Sequence, residues 1–446
     1  MTGTDTNIRY DDALPNLVEL IIAHIGKDAL SKNLILRDAD GIITFVLREK
    51  YPTETLAALS SKISATLLKY ASSQPVATPE DLYDESLNDD SNDGWELVRL
   101  ESGEKHYIKY IERRIVGNDW VRGIFSPLEN TPPIVVFSSH KGGVGRSTAL
   151  SVACTELSRI GKSVLAIDLD LEAPGIGGMF NTQNNLPLYG AIDYYVEFGR
   201  SPIDKNFILN MCSTLPHPSS NGSITIIAAS GSSSRSHPEN VIGKISRAYL
   251  ESIDPDSGAV SSFLDKTRKM LTDLCGAAHY DVIFIDARAG LNESTAATLQ
   301  GLGADVLFFG IDTPQTWEGY NYFLSHLARF KSFTTPDIDW RHKIKMVHAK
   351  AIDDPKALAN FNDESFELFA QYLYDEISGD ESAGGLSDAF GFDLNDETAP
   401  HFSWPIFISP DYFEFDPIKN CEQLSEEKLQ PVFGQFLSSL KDRLEL

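Results

Sequence analysis

The chain has 446 residues, 42% of them apolar, and a formal net charge of −26. That length holds two or three domains, and the apolar content is that of a globular chain and not of a disordered one. A field this negative repels phosphate backbones and anionic membrane surfaces, which speaks against nucleic acid and membranes as partners.

The first residues, MTGTDTNIRYDDALPN, are polar and acidic, without the basic segment and apolar stretch of a secretory leader. No run of about 18 apolar residues suggests a membrane span. Cys154, Cys212, Cys275 and Cys421 are far apart, without CxxC or metal-ligand spacing. They read as reduced thiols of a cytoplasmic protein.

Residues 1–125 read as a small N-terminal α+β unit. Leu17, Leu20, Ile21 and Ile25 mark a helix closed by Gly26. Residues 33–48 read as a hairpin turning at Asp38-Ala39-Asp40-Gly41. Leu56, Leu59, Ile63, Leu67 and Tyr70 mark a second helix. The acidic run Asp81–Gly94 reads as a solvated linker. A second hairpin joins Leu97–Leu100 to Tyr107–Ile111 across Ser102-Gly103. No motif of chemistry falls here, which suits an interaction or regulatory module.

Residues 126–446 change pattern. Apolar runs at 134–137, 163–167, 224–228, 282–285, 306–311, 344–347 and 405–408 alternate with helical stretches. Such alternation predicts an α/β domain, a mainly parallel twisted sheet with helices on both faces. The polar stretches 216–240 and 378–400 read as surface excursions. The stretch 426–444 reads as an amphipathic helix docked on the domain.

The sequence IVVFSSHKGGVGRSTALSVACTELSRIG reads strand, glycine-rich turn, helix. Gly142, Gly143 and Gly145 allow a tight path in which successive amides, Val144 included, point inward as a cradle for phosphates at a helix N-terminus. Arg146 is the cation of the loop, Ser147 supplies a hydroxyl for Mg²⁺, and Thr148 is placed for the α-phosphate. His140 stands where the strict pattern GxxxxGK[ST] has its first Gly, and Arg146 where it has Lys.

KGGVGRST resembles the deviant Walker A loop, KGGxGK[ST][ST], of the MinD/ParA ATPases of the SIMIBI class, and in particular a KGGVGR variant. The resemblance covers residues 132–446 and implies a P-loop NTPase fold that binds ATP and Mg²⁺. It assigns Lys141 as the signature lysine, reaching across a nucleotide-sandwich homodimer to the partner's phosphates. Arg146 departs from the pattern: guanidinium is bulkier and forks its donors where ammonium is a compact charge. Nucleotide binding tolerates that change better than fast hydrolysis does.

Two further blocks follow. In SVLAIDLDLEAPGIGG, Asp168 and Asp170 close a strand beside the loop, the edge at which open α/β sheets bind ligands. The resemblance assigns Asp170 to the attacking water and Asp168 to the Mg²⁺ shell. In YDVIFIDARAGLNES, Asp286 ends a strand with Gly290 four residues on, resembling a Walker B strand and second switch. Asp286 would accept from Mg²⁺-bound water and Gly290 would offer its N–H to the γ-phosphate. Arg288 reads either as a contact to phosphate across a dimer or, the favoured reading, as pairing with surface acids. The strand IKMVHAKAIDD lacks the NKxD spacing of GTPases, which argues against GTP, and adenine is what the overall resemblance implies.

Three functions compete at this level. The first is an ATP-driven dimerisation switch with slow hydrolysis that controls a partner protein. The second is a nucleotide-binding scaffold with negligible turnover because of Arg146. The third, a transferase or ligase, would need a substrate cluster of acids, bases or metal ligands that the sequence does not offer. DNA partitioning would need a basic surface.

Overall fold

The computed structural model describes residues 8–114, 117–124, 127–181, 185–217, 220–253, 258–333, 339–375 and 389–446. The chain divides into two compact units, Met1–Val121 and Arg122–Leu446.

The first unit is a five-stranded sheet with two helices on one face. Its strands are β1 (Leu34–Arg37), β2 (Ile43–Val46), β3 (Ala71–Ala77), β4 (Gly94–Arg99) and β5 (Lys105–Glu112), in the order β3-β2-β1-β5-β4. β1–β2 and β4–β5 are the two antiparallel hairpins expected. The helices Tyr10–His24 and Thr53–Leu67 bury Leu17, Ile21, Leu59 and Ile63 against Ile35, Phe45 and Ile108 of the sheet. Most side chains of the acidic run lie in solvent as expected, but the run is not a free linker. It forms two short 3₁₀ turns, Glu85–Asn88 and Asp90–Asn92, and Leu87 and Leu82 cover Leu34, Leu36 and Val46 on the second face. Arg48 gathers its charge, donating to both carboxylate oxygens of Asp93 and to Asp90. Leu87 and the half-buried Arg48 tie the run to the sheet.

The second unit is built on an eight-stranded sheet. Its strands are β6 (Ile134–Ser139), β7 (Ser163–Asp168), β8 (Cys212–Pro216), β9 (Ser223–Ile227), β12 (Val282–Asp286), β13 (Asp305–Gly310), β14 (Ile344–Ala351) and β15 (Trp404–Phe407). β10 (Ser252–Ile253) and β11 (Val260–Ser261) form a separate ribbon. The sheet order is β15-β14-β13-β6-β12-β7-β9-β8, parallel throughout except at β8–β9. All seven apolar runs are strands. The eighth, β8, escapes the apolar pattern: Cys-Ser-Thr-Leu-Pro is polar enough for an edge with a single neighbour.

Both faces of the sheet are covered, which is why β6 and β12 are buried at every position. On one face lie the loop helix Arg146–Arg159 and the C-terminal helix Glu426–Arg443, whose Phe436 meets Phe137 and Phe309. On the other, Phe308 packs edge-on to Phe323 of the helix Pro314–Leu327 at 4.9 Å. Of the polar excursion at 378–400, residues 378–388 lie outside the described residues, as do 218–219 of the earlier one. Among the described residues no helix is long and apolar enough to cross a membrane, and all four cysteines are free thiols.

The path of the chain sets the functional edge. From β6 it moves to β7 and β9, returns to β12 between β6 and β7, then crosses to β13 on the far side of β6. Progress reverses around β6, and the crevice beyond its carboxyl end is where such sheets bind ligands.

Candidate nucleotide site

The glycine-rich loop springs from that end of β6. Gly143 and Gly145 hold φ of 75° and 97°, a region that a side chain disfavours, and Gly145 caps the helix Arg146–Arg159. A Cβ on Gly142, Gly143 or Gly145 would meet no atom within 4 Å. Packing therefore does not demand these glycines; positive φ does at Gly143 and Gly145, and the space before the helix N-terminus is left open. The Ser139 hydroxyl donates to the Lys141 carbonyl at 2.7 Å, and Lys350 Nζ donates to the Gly143 carbonyl at 2.8 Å, so two loop carbonyls are turned outward and held. Lys350 does this from a left-handed conformation, φ 54°, at a bulge near the end of β14.

His140 explains a glycine far away in sequence. Its ring lies where Gly319 leaves room: a Cβ on Gly319 would fall 2.1 Å from it. Val144 is buried beneath the loop, and Thr148 stands half-buried on the helix's first turn. Lys141 is exposed and makes no side-chain hydrogen bond or ion pair among the described residues.

Ser147, Asp168, Asp170 and Asp286 meet as the sequence blocks suggest. β7 and β12 are neighbours with Asp168 paired to Asp286, which sets two buried carboxylates side by side. The Ser147 hydroxyl donates to Asp286 Oδ2 at 2.5 Å, while Asp286 Oδ1 is buried without a partner. Burial raises Asp286 to about 6, opposed by the Arg146 charge and the Ser147 bond. Burial and the neighbouring Asp286 also push Asp168 well above the usual carboxylate range. Burial raises Asp170 as well, again against Arg146.

Two of the expected site residues are engaged within the chain. Asp168, expected in the Mg²⁺ shell, has both oxygens taken by backbone amides, Asp170 N at 3.1 Å and Gly175 N at 2.9 Å, and so closes the loop between them. Gly290, expected to offer its N–H to a γ-phosphate, donates it to the Ser139 carbonyl at 3.0 Å. Arg146 is likewise committed. It donates to the Ala287 carbonyl at 2.5 Å and lies 3.6 Å from the Asp170 carboxylate, with only 7% of its surface exposed. Arg288 pairs with Glu172 at 2.6 Å, and Tyr249 donates to the same carboxylate at 3.0 Å.

The donor set fits a divalent cation of the Mg²⁺ kind. Ser147 Oγ and the unpartnered Asp286 Oδ1 are hard oxygen donors beside a phosphate cradle, and a cation there would relieve two crowded carboxylates. No group of three or more His, Cys, Asp or Glu side chains arranged to hold a metal ion by itself occurs among the described residues. Next to the loop, Val144, Thr148 and Lys350 face Ile408, Tyr412 and Phe413 across a largely apolar cleft.

Comparison with known proteins gives the following. No protein-family model matches the chain. An uncharacterized ATP-binding protein of Methanocaldococcus jannaschii is 39% identical over 54 residues, 12% of this chain and 20% of that protein. The chain thus spans about a fifth of the length of the curated relative it matches. Among solved structures, pNOB8 ParA bound to nonspecific DNA is similar over 70% of this chain and 99% of its own, at 15% identity and a TM-score of 0.41. A Cyanothece McdA variant complexed with ATP covers 71% and 97%, at 13% identity and 0.41. Cobyrinic acid a,c-diamide synthase from Mycobacterium smegmatis, with ADP and magnesium bound, covers 54% and 83%, at 16% identity and 0.36.

Proposed function

We propose that this chain is an ATP- and Mg²⁺-dependent switch of the MinD/ParA type. ATP seats on the loop from Lys141 to Thr148 and joins two chains. Slow hydrolysis parts their nucleotide-binding units, and the N-terminal unit carries the state to a partner protein. The observation that carries this reading is the loop itself, with two glycines at positive φ, open space at each missing Cβ, and the Ser147 hydroxyl on Asp286. The ATP-binding relative from Methanocaldococcus jannaschii, matched over a short stretch, supports the choice of nucleotide.

The residues take these parts. Amides from Gly142 to Thr148 hold the β-phosphate, and the base lies in the cleft beside Lys350 and Phe413. Mg²⁺ would be held by Ser147 and Asp286 and would supply charge neutralisation for the bound phosphates. Lys141, exposed and locally unpartnered, extends to the phosphates of a second chain. Asp170 accepts from and aligns the attacking water once Arg146 leaves it for the phosphates. Catalysis is then positioning and electrostatic stabilisation, without a covalent intermediate.

The test is the sedimentation behaviour of the chain with ATP, with ADP and as Lys141→Ala. An association that ATP adds and Lys141→Ala loses supports the switch; a state that ATP leaves unchanged, both in wild type and in a chain kept single by Leu97→Pro, sinks it. A second reading is favoured by the contacts of Arg146. Its donors are already engaged by Ala287 and Asp170, which suits a scaffold that binds nucleotide with negligible turnover. Phosphate release equal in wild type and Asp170→Ala would select that reading.

A further inference from the structure

The two edges of the N-terminal sheet are built differently. β3 contains Pro75, and its register against β2 shifts between Ile43 and Phe45. Both features spoil an edge for further pairing. β4, at the other edge, reads Gly-Trp-Glu-Leu-Val-Arg and pairs with β5 in unbroken register from Gly94↔Tyr110 to Arg99↔Lys105. No strand lies on its other side among the described residues.

The main chain of β4 can be sorted by direction. The Leu100 amide donates to the Glu104 carbonyl at the turn. Antiparallel pairs alternate between bonded and non-bonded, so Glu96 and Val98 turn their N–H and C=O groups toward β5. Those of Trp95, Leu97 and Arg99 point away from the sheet. The same residues carry side chains that stand in solvent: Trp95 is 43% exposed, Leu97 39%, and Tyr107, paired with Leu97, 65%. Arg99 is exposed and has no ion pair among the described residues.

This edge is complementary to itself in one register. Two copies related by a two-fold axis must meet antiparallel with like faces together, so the axis passes through a residue. An axis at Glu96 sets two carboxylates face to face in a narrow, non-bonded pair. An axis at Val98 sets Leu97 against a guanidinium and Trp95 against Glu101. An axis at Leu97 makes Leu97 a reciprocal hydrogen-bonded pair with its own copy. It sets Trp95 opposite Arg99 of the second copy, a cation–π pair, and Glu96 opposite Val98. Every outward N–H and C=O on Trp95, Leu97 and Arg99 then finds a partner, and the stripe Tyr107–Leu97 runs on into its copy.

We propose that β4 is a homotypic docking edge: two chains join their N-terminal sheets about Leu97 into one ten-stranded sheet. The contact uses no residue of the nucleotide loop, so it forms without nucleotide and stands apart from the switch proposed above.

Sedimentation of the full chain without nucleotide tests it. Wild type sediments as a dimer. Leu97→Pro, whose lost amide points away from β5, sediments as a single chain and still associates when ATP is added. Cross-linking tests the register in a Cys421→Ser background, where Leu97→Cys oxidises to a linked dimer because its Cα spacing of about 5.5 Å suits a disulfide. Trp95→Cys and Arg99→Cys link to each other when mixed, and neither links to itself. A wild type that remains single without nucleotide overturns the proposal. So does a dimer that survives Leu97→Pro, or a Leu97→Cys chain that does not cross-link.

Discussion

Arg146 and Asp170 form a buried pair, with the guanidinium 3.6 Å from the carboxylate and its other arm on the Ala287 carbonyl. Three segments meet at this one side chain: the phosphate loop, the end of β7 and the end of β12. A lysine at 146 has a single charged nitrogen and lacks the planar fork that spans two acceptors. In the account proposed here, Arg146 restrains Asp170 until phosphate competes for it. Arg146→Lys should therefore raise ATP turnover by about tenfold or more, since an aligned acceptor is worth at least that much. Nucleotide affinity should change little. Phosphate-release assays and calorimetry on the same preparations check both halves.

Ser147 and Asp286 are bonded to each other and leave one carboxylate oxygen unpartnered. Ser147→Ala and Asp286→Asn should each weaken Mg²⁺-dependent nucleotide binding by roughly 10- to 100-fold, as loss of a supporting ligand does. Binding measured with chelator present should change far less. A titration of nucleotide at several Mg²⁺ concentrations separates the two.

Gly319 predicts an effect at a distance. Gly319→Ala places a methyl 2.1 Å from the His140 ring, at the root of the phosphate loop. The ring must move, and overpacking of this kind costs about 1–3 kcal/mol. The expected outcome is a lower melting temperature together with weakened ATP binding, although residue 319 is remote from the loop in sequence. Alanine at Gly142, which holds no positive φ and meets no atom, should leave the melting temperature nearly unchanged.

Lys345 gives the pH prediction. It is buried on β14, donates to the Glu397 and Ala399 carbonyls, and burial lowers it to about 7. Below that pH the lysine is charged in folded and unfolded chains alike, and the cost of burying the charge is fully present. Between about pH 7 and 10 the unfolded chain holds the proton and the folded chain does not, so stability rises with pH. Denaturant melts should show wild type gaining on the order of 3 kcal/mol across that window relative to Lys345→Met, whose difference curve reports this group alone.

How much of this was legible in the sequence follows from which forces are local. The seven parallel strands stood out because burial on both faces forces continuous apolar runs, as in Val282–Ile285. The loop was legible because its glycines answer to backbone geometry at Gly143 and Gly145. What escaped depends on contacts between distant segments. β8 is polar and owes its pairing to β9. The acidic run folds because Arg48, some forty residues away, collects its carboxylates. Asp168 lies where the sequence puts it, yet its oxygens answer to the amides of Asp170 and Gly175, a matter of loop path that spacing does not convey. Lys350 and Gly319 act on the loop from far along the chain and carry no motif. Their only signals were a lysine at a strand end and a glycine within a helix.

Calorimetry of ATP with Mg²⁺ against the wild-type chain and Gly145→Val bears most directly on the central claim, that the amides from Gly142 to Thr148 receive a triphosphate. Gly145 stands at φ 97° over open space, so valine there strains the backbone and fills the cradle. The account predicts a saturable heat at one nucleotide per chain in wild type and its loss in the variant. No heat from wild type at millimolar ATP, or equal heats from both, would contradict it.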